Sequence, residues 1–254
     1  MARIVSAMKF SIMNLVLAGG ALVFLSGCTS TQSPQTAMPR LLYSDSFESG
    51  LSSWEVEQQP GGEVFTEDGR LVIADEGGCS VWFRKKLTAP VAITYTVRAS
   101  SEARVSDINC FWMATEPESP DDHFGGDHGR TGAFATYDSM QTYYVGYGGN
   151  YNSTTRFRRY TGDGKRPLLP EHDLSAPEYM IQPDHTYRIR LVAAGGRAQY
   201  YRDGELLFDY EDEEPLTEGW FAFRTVLSRL EIDDFQVWRI EPDQVEAILN
   251  GEWQ

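Results

Sequence analysis

From Leu41 onward the chain repeats one pattern that narrows the choice of fold more than any other: apolar residues alternate with period two in short runs. Ile93, Tyr95 and Val97 share one parity, as do Tyr187, Ile189 and Leu191. Residues two apart fall on the same face of a strand, so such runs read as sheet rather than helix. Runs rich in β-branched and aromatic residues cover 70–74, 79–84, 91–98, 108–113, 142–147, 187–192 and 198–202, each closed by Gly, Asp, Asn or Pro. Further strands are expected at 205–210, 219–224 and 230–238. Gly195-Gly196 and Asp203-Gly204 sit between alternating runs and predict tight hairpins. The expectation is an all-β sandwich or barrel. Only residues 242–250 carry helix-like spacing, opened by Glu241 and Asp243 and closed by Asn250-Gly251. No internal repeat is visible, and no domain boundary after residue 41.

Composition removes several alternatives. The 23 glycines show no period and three cysteines cannot staple 254 residues, so collagen-like and disulfide-framework architectures fail. The chain carries 22 Lys and Arg against 37 Asp and Glu, a net charge of −15. Duplex nucleic acid is therefore not expected as a partner, because phosphate binding rests on a basic footprint.

The first 27 residues read as a leader. Arg3 and Lys9 precede an apolar stretch too short and too interrupted for a comfortable permanent span. It ends in Leu25-Ser26-Gly27-Cys28, which resembles the bacterial lipoprotein lipobox and implies cleavage before Cys28 and acylation of that cysteine. A plain secretory signal or a signal anchor is the alternative. Thr29 after the cysteine resembles the pattern for sorting to the outer membrane of the cell envelope. Residues 28–40, polar and Pro-containing, form a tether, 41–240 the sandwich, and 241–254 a short helix and tail. Without the leader the charge is −17, with 20 basic residues against 37 acidic. Cys79 and Cys110 then remain, either as a disulfide or as two buried thiols.

The ending of the chain, a hairpin, then Gly219-Trp220-Phe221-Ala222-Phe223-Arg224 and a strand carrying Asp233-Asp234-Phe235, resembles concanavalin-A-like (laminin-G-like) jelly-roll sandwiches of two antiparallel sheets. Ser44-Asp45-Ser46-Phe47-Glu48-Ser49-Gly50 with Ser53-Trp54 is similar to the start of many such domains. The resemblance implies a carbohydrate setting, since lectins, glycoside hydrolases and polysaccharide lyases share this fold. Tyr143-Tyr144-Val145-Gly146-Tyr147-Gly148-Gly149-Asn150, with residues 155–160, 166–170, 106–114 and 219–225, resembles a bacterial family of such domains whose function is unknown. That family occurs in polysaccharide-utilisation gene clusters and is similar in plan to the YesU group.

Charge distribution points to a site. Between residues 125 and 170 six basic residues face three acidic ones, and six of the thirteen tyrosines lie there. Aromatic faces take the C–H side of a pyranose, and Arg forks pair with a uronate or sulfate. Asp107 and Asn109 share a parity with Phe111 and Met113, opposite the apolar set Ile108, Cys110 and Trp112, and so should face away from the core. β-Elimination on a uronate needs a cation for the carboxylate and groups to take and give protons. Arg156 and Arg158 would neutralise, Tyr144 or Tyr147 would transfer the proton, and His172 is a further catalytic candidate, with His123 and His128 behind it. Asp107, Asn109, Arg130, Tyr137, Asn150, Tyr160, Arg166 and Arg224 are the expected substrate-binding residues. Hydrolysis needs two carboxylates in one groove, and nothing on a convincing strand resembles the Glu-x-Asp-x-x-Glu triplet of one large group of jelly-roll hydrolases, which places hydrolysis behind elimination. The alternatives are a non-catalytic glycan-binding protein using the same groups and a structural envelope lipoprotein. No cofactor is required; residues 120–129, with three Asp and two His, would suit a structural calcium or transition metal, but read better as a polar loop at the groove's rim. The expected partners are a polysaccharide or oligosaccharide and, through Cys28, a membrane; the oligomeric state stays open.

Overall fold

The computed structural model describes residues 38–125 and 128–253. The leader, Cys28 and the tether up to residue 37 lie outside the described residues. The strands are β1 (Arg40–Asp45), β2 (Trp54–Gln58), β3 (Gly62–Glu67), β4 (Arg70–Asp75), β5 (Cys79–Phe83), β6 (Leu87–Thr88), β7 (Val91–Ala99) and β8 (Ile108–Thr115). They continue as β9 (Gln141–Gly148), β10 (Thr154–Thr161), β11 (Asp173–Leu174), β12 (Thr186–Ala194), β13 (Arg197–Arg202), β14 (Glu205–Glu211), β15 (Glu218–Thr225) and β16 (Arg229–Arg239).

These strands form an all-β sandwich of two antiparallel sheets. The first has the order β14-β13-β12-β7-β16-β4-β3, with β1 added on β16; the second has the order β11-β10-β9-β8-β15-β5-β2, with β6 added on β15. The hairpins fall at the two glycine-bearing pairs: Gly195 and Gly196 have φ of 57° and 77°, Asp203 and Gly204 of 52° and 85°. Two successive positive φ values match the right-handed twist of the flanking strands. A short C-terminal helix, Val245–Leu249, follows the last strand.

The sheets meet over a core with an aromatic centre. Trp54, Phe83, Phe223 and Phe235 pack with ring centroids 4.9–5.9 Å apart. Ile108, Cys110, Trp112, Tyr143, Val145, Tyr147 and Phe157 bring the second sheet to the same core. Cys79 and Cys110 are both free and fully buried there, so of the two readings open in the sequence the structure shows buried thiols.

Apolar packing does not stop at the core. A second cluster lies on the outer face of the second sheet and includes Trp82, Phe111, Tyr144, Tyr160 and Trp220, with Tyr137 from the connecting loop. This explains why every residue of β8 is buried: its two parities pack into two different clusters. One side chain departs from its expected parity. Met113 lies in the inter-sheet core rather than beside Phe111, because a bulge after Trp112 gives Met113 a φ of 54° and turns it inward. Gly219 on β15 makes room for that bulge, since a Cβ there would stand 2.3 Å from the Met113 carbonyl carbon.

Candidate functional site

The register of the second sheet sets out the site as a row. On the outer face, Glu57 of β2 pairs with Ser80 of β5, Ser80 with Arg224 of β15, Arg224 with Asn109 of β8, and Asn109 with Gly146 of β9. Gly146 in turn pairs with Arg156 of β10, and Arg156 with Asp173 of β11. One row further along, Trp82, Ala222, Phe111, Tyr144 and Arg158 follow one another in the same way. Side chains facing one way on neighbouring strands sit about 5 Å apart, so each row is a continuous surface. It is broken at Gly146, where there is no side chain. The Tyr144 ring leans into that gap: a Cβ on Gly146 would lie 3.1 Å from its hydroxyl and 3.2 Å from Cε1.

A cleft of about 550 Å³ opens over this break. Arg156, Arg158, Arg166 and Arg224 line it with Tyr144, Asn109, Phe134 and Asn150, and Asp107 is the only carboxylate among its described lining. Asp107 is already engaged. It accepts from Ser106 Oγ at 2.6 Å, Arg104 Nη2 at 3.0 Å and Asn109 Nδ2 at 3.2 Å. Arg156 pairs with Asp173 at 2.7 Å and Arg166 with Asp138 at 3.5 Å. Arg158 and Arg224 have no carboxylate partner among the described residues; Arg158 donates to the Arg166 carbonyl.

Arg224 is the most unusual of the four, at 1% exposed. Its Nη1 donates to Ser80 Oγ and to the Gly132 carbonyl, each at 3.0 Å, while its buried Nε has no partner. The buried Asn109 Oδ1 is likewise unpaired, and Arg166 approaches the buried Tyr160 hydroxyl without a well-formed hydrogen bond. Burying a charge without a counter-ion costs several kcal/mol, and Arg224 is held among the described residues by neutral acceptors and by the rings of Phe134 and Tyr137, at 4.9 and 5.0 Å. Tyr144 makes no hydrogen bond through its hydroxyl among the described residues, and burial pushes its pKa well above the ordinary phenol value. The phenol therefore stays protonated at neutral pH and can donate a proton or a hydrogen bond.

Several expected site residues stand elsewhere. Tyr147 faces the inter-sheet core, stacked edge-on against Tyr187, with its hydroxyl 3.4 Å from the Met180 carbonyl. It is three residues from Tyr144 and so on the opposite face of β9. His172 packs against Phe157, Phe208 and Tyr210 at the core's edge, where burial lowers its pKa. Arg130 and Tyr137 are structural. The buried Glu57 carboxylate accepts from Arg130 Nε at 3.0 Å, Tyr137 hydroxyl at 2.9 Å and Trp82 Nε1 at 2.8 Å, and Arg130 also holds Glu116 at 2.7 Å. Tyr160 lies on the outer face beneath Tyr144 and Phe111, and Asn150 is exposed in a left-handed turn at the rim.

The 120–129 loop does not gather its described donors for a metal. Asp121 is drawn to Lys86 at 2.6 Å, and His123 is buried between Trp220 and Trp82, at centroid distances of 4.8 and 4.3 Å. Asp127 lies outside the described residues. Burial, helped by the Arg130 charge, lowers the His123 pKa to about 2, so the folded protein holds it neutral. Below pH ~6.5 the unfolded chain binds a proton that the folded chain refuses, so stability falls as pH falls, by about 1.4 kcal/mol per pH unit from this residue. Denaturant melts of wild type and His123→Phe between pH 7 and pH 5 should show a weaker pH slope in the variant; equal slopes would contradict a buried neutral His123.

Residues 73–235 match the model of the Domain of unknown function (DUF6250). The chain belongs to this family. The DUF6250 segment runs from β4 into β16 and contains every cleft-lining residue, whereas Glu57 lies before it. Solved structures share the fold. A protein of unknown function with a galectin-like fold from Bacillus subtilis superimposes with a TM-score of 0.65 at 19% identity, covering 80% of this chain and 97% of that one. The carbohydrate binding module CBM66 from Bacillus subtilis gives 0.51 at 11% identity, covering 74% and 96%. An alginate lyase in complex with an alginate trisaccharide gives 0.50 at 16% identity, covering 81% and 100%. No curated protein matches the chain in sequence.

Ser80, Gly146 and Phe134 were not expected in the site. Only Gly146 left a trace in the sequence: glycine inside a strand often marks a close approach.

Proposed function

We propose that this DUF6250 protein binds an acidic oligosaccharide, of the uronate class, in the cleft on the outer face of the second sheet. The observation that carries this reading is the set of four guanidinium groups around the Gly146 gap, two of them without a carboxylate partner among the described residues. A carboxylated sugar supplies the missing anions, and Tyr144 offers aromatic surface to its ring. A carbohydrate binding module and an alginate lyase among the structural neighbours support a glycan as the ligand. The motif resemblance to proteins of polysaccharide-utilisation clusters points the same way. Lipidation at Cys28 would hold the sandwich on the outer membrane, with residues 28–40 as its tether.

A larger hollow of about 960 Å³ lies on the outer face of the first sheet, but it supports this reading less well. Its Arg70, Arg98, Arg188 and Arg190 stand among Asp203, Glu231, Asp233 and Asp234; Arg98 and Arg70 pair with Glu231 at 3.6 and 4.0 Å, while Arg190 lies over the rings of Tyr201 and Trp253. Arginines and carboxylates line that hollow in equal number, whereas four arginines and one carboxylate line the Gly146 cleft.

Tyr144 favours a second reading, lyase-type β-elimination. Its protonated hydroxyl beside Arg158 could donate to a leaving glycosidic oxygen while the arginines neutralise the uronate. Binding ranks first because the described cleft lining offers no histidine and no free carboxylate to take the C5 proton. Incubation with polygalacturonate and alginate separates the two readings. Binding by calorimetry without unsaturated, ultraviolet-absorbing ends is the expected result. Appearance of such ends, lost in Tyr144→Phe with binding retained, would establish elimination instead. Absence of binding to any uronate polymer would overturn both.

A further inference from the structure

The cleft's deepest cation is covered. Phe134 lies over Arg224, its ring centroid 4.9 Å from the guanidinium carbon, and equally close to Arg166 at 5.0 Å. The same ring is 5.5 Å from that of Tyr144. Arg224 Nε is bare of partners beneath it. We propose that Phe134 is a displaceable cover over an anion seat, and that a planar carboxylate takes the place of its ring between Arg166 and Arg224. This inference rests on the acidic-glycan reading and deepens it, since it assigns the seat to the carboxylate of a single uronate residue.

Three observations support a cover rather than a fixed wall. First, the seat is built without a resident anion: Ser80 Oγ and the Gly132 carbonyl hold Nη1, both neutral acceptors, while Asn109 Oδ1 on the adjoining strand is also unpaired. Neutral acceptors orient a guanidinium but leave its charge uncompensated. Second, the loop that carries Phe134 is pinned on either side of it. Tyr137 donates to Glu57 and accepts from the Gly132 amide at 3.2 Å, and a Cβ on Gly132 would stand 2.4 Å from the Gly78 carbonyl oxygen. Motion is thereby left to the Phe134 side chain, which can rotate without the loop moving. Third, Phe134 packs against the outer cluster from its edge, is only half-buried and lines the cleft, so one side of its ring faces the opening. An aromatic face is a weak, neutral substitute for an anion on a guanidinium. A carboxylate that pairs with both arginines replaces it with charge-assisted hydrogen bonds.

The test follows the Arg Nε–H signals by ¹H–¹⁵N NMR during titration with galacturonate, with galactose as the neutral control. The Arg224 signal is assigned by its loss in Arg224→Lys. Galacturonate should shift the Arg224 Nε–H and galactose should not. Phe134→Ala, which removes the cover, should tighten galacturonate binding by roughly threefold to tenfold, the worth of one cation–π contact. The galactose titration should stay unchanged in that variant. If galacturonate moves the other cleft arginines but leaves Arg224 unmoved, or if Phe134→Ala weakens binding, the cover is overturned while the acidic-glycan reading stands. If no arginine moves, both are overturned.

Discussion

Replacing Glu57 with alanine is expected to lower stability by about 3 kcal/mol, the low end of the cost of stranding a buried cation. Arg130 has a side chain with no exposed surface, and Glu57 is one of the two carboxylates that balance it. The same carboxylate takes the indole N–H of Trp82 and the hydroxyl of Tyr137, so its loss also leaves two buried donors without partners. Glu116 stays in place and keeps the loss from being larger. Urea unfolding should show a lower midpoint with an unchanged slope, because the same surface is exposed. The pair Glu57→Leu with Arg130→Met should recover part of the loss, since neither charge is then left alone. A loss below about 1 kcal/mol in Glu57→Ala would mean that the network does not hold the outer cluster together.

The second large effect is on binding. Arg158→Ala should weaken uronate oligosaccharide binding by about tenfold or more, the usual worth of a hydrogen bond between charged groups. Stability should hardly change, because Arg158 is half-buried and has no carboxylate partner among the described residues to strand. Arg158→Lys should recover only part of the affinity, since an ammonium keeps the charge but not the fork. Gly146→Val tests the same cleft by filling it. Its Cβ would sit 3.1 Å from the Tyr144 hydroxyl, and its methyl groups would push that ring across the opening. Calorimetry with oligogalacturonate should show both variants impaired. Wild-type affinity in Gly146→Val would place the ligand elsewhere.

Strand parity makes much of this geometry legible in the sequence. Asp107, Asn109 and Phe111 do turn away from Ile108, Cys110 and Trp112, and by the same rule Arg156, Arg158 and Tyr160, two apart along β10, share the outer face. The same rule already forbids Tyr144 and Tyr147 from entering one cleft, because residues three apart on a strand point opposite ways. Other features had no local signal. The Met113 bulge depends on Gly219 of a strand more than a hundred positions away. His172 reads as a polar residue in a loop, yet three distant rings bury it. Glu57 and Arg130, 73 positions apart, meet only because β2 ends the sheet beside the returning loop. A local excess of positive charge located the cleft, but three of its six basic residues serve other tasks and a fourth already has a carboxylate. Arg130 is structural, Arg159 pairs with Asp212 at 3.3 Å, Lys165 pairs with Asp163, and Arg156 is tied to Asp173 at the cleft's edge. Parity sorts faces; it does not say which charges will find partners.

The most direct test of the acidic-glycan account is a structure of the protein bound to an oligogalacturonate. A sugar ring should lie over Gly146 on the outer face of the second sheet, with a carboxylate within hydrogen-bond distance of Arg158 or Arg224 and a hydroxyl or ring oxygen near Tyr144. A sugar seated instead in the hollow of the first sheet, among Arg188, Arg190 and Trp253, would contradict it.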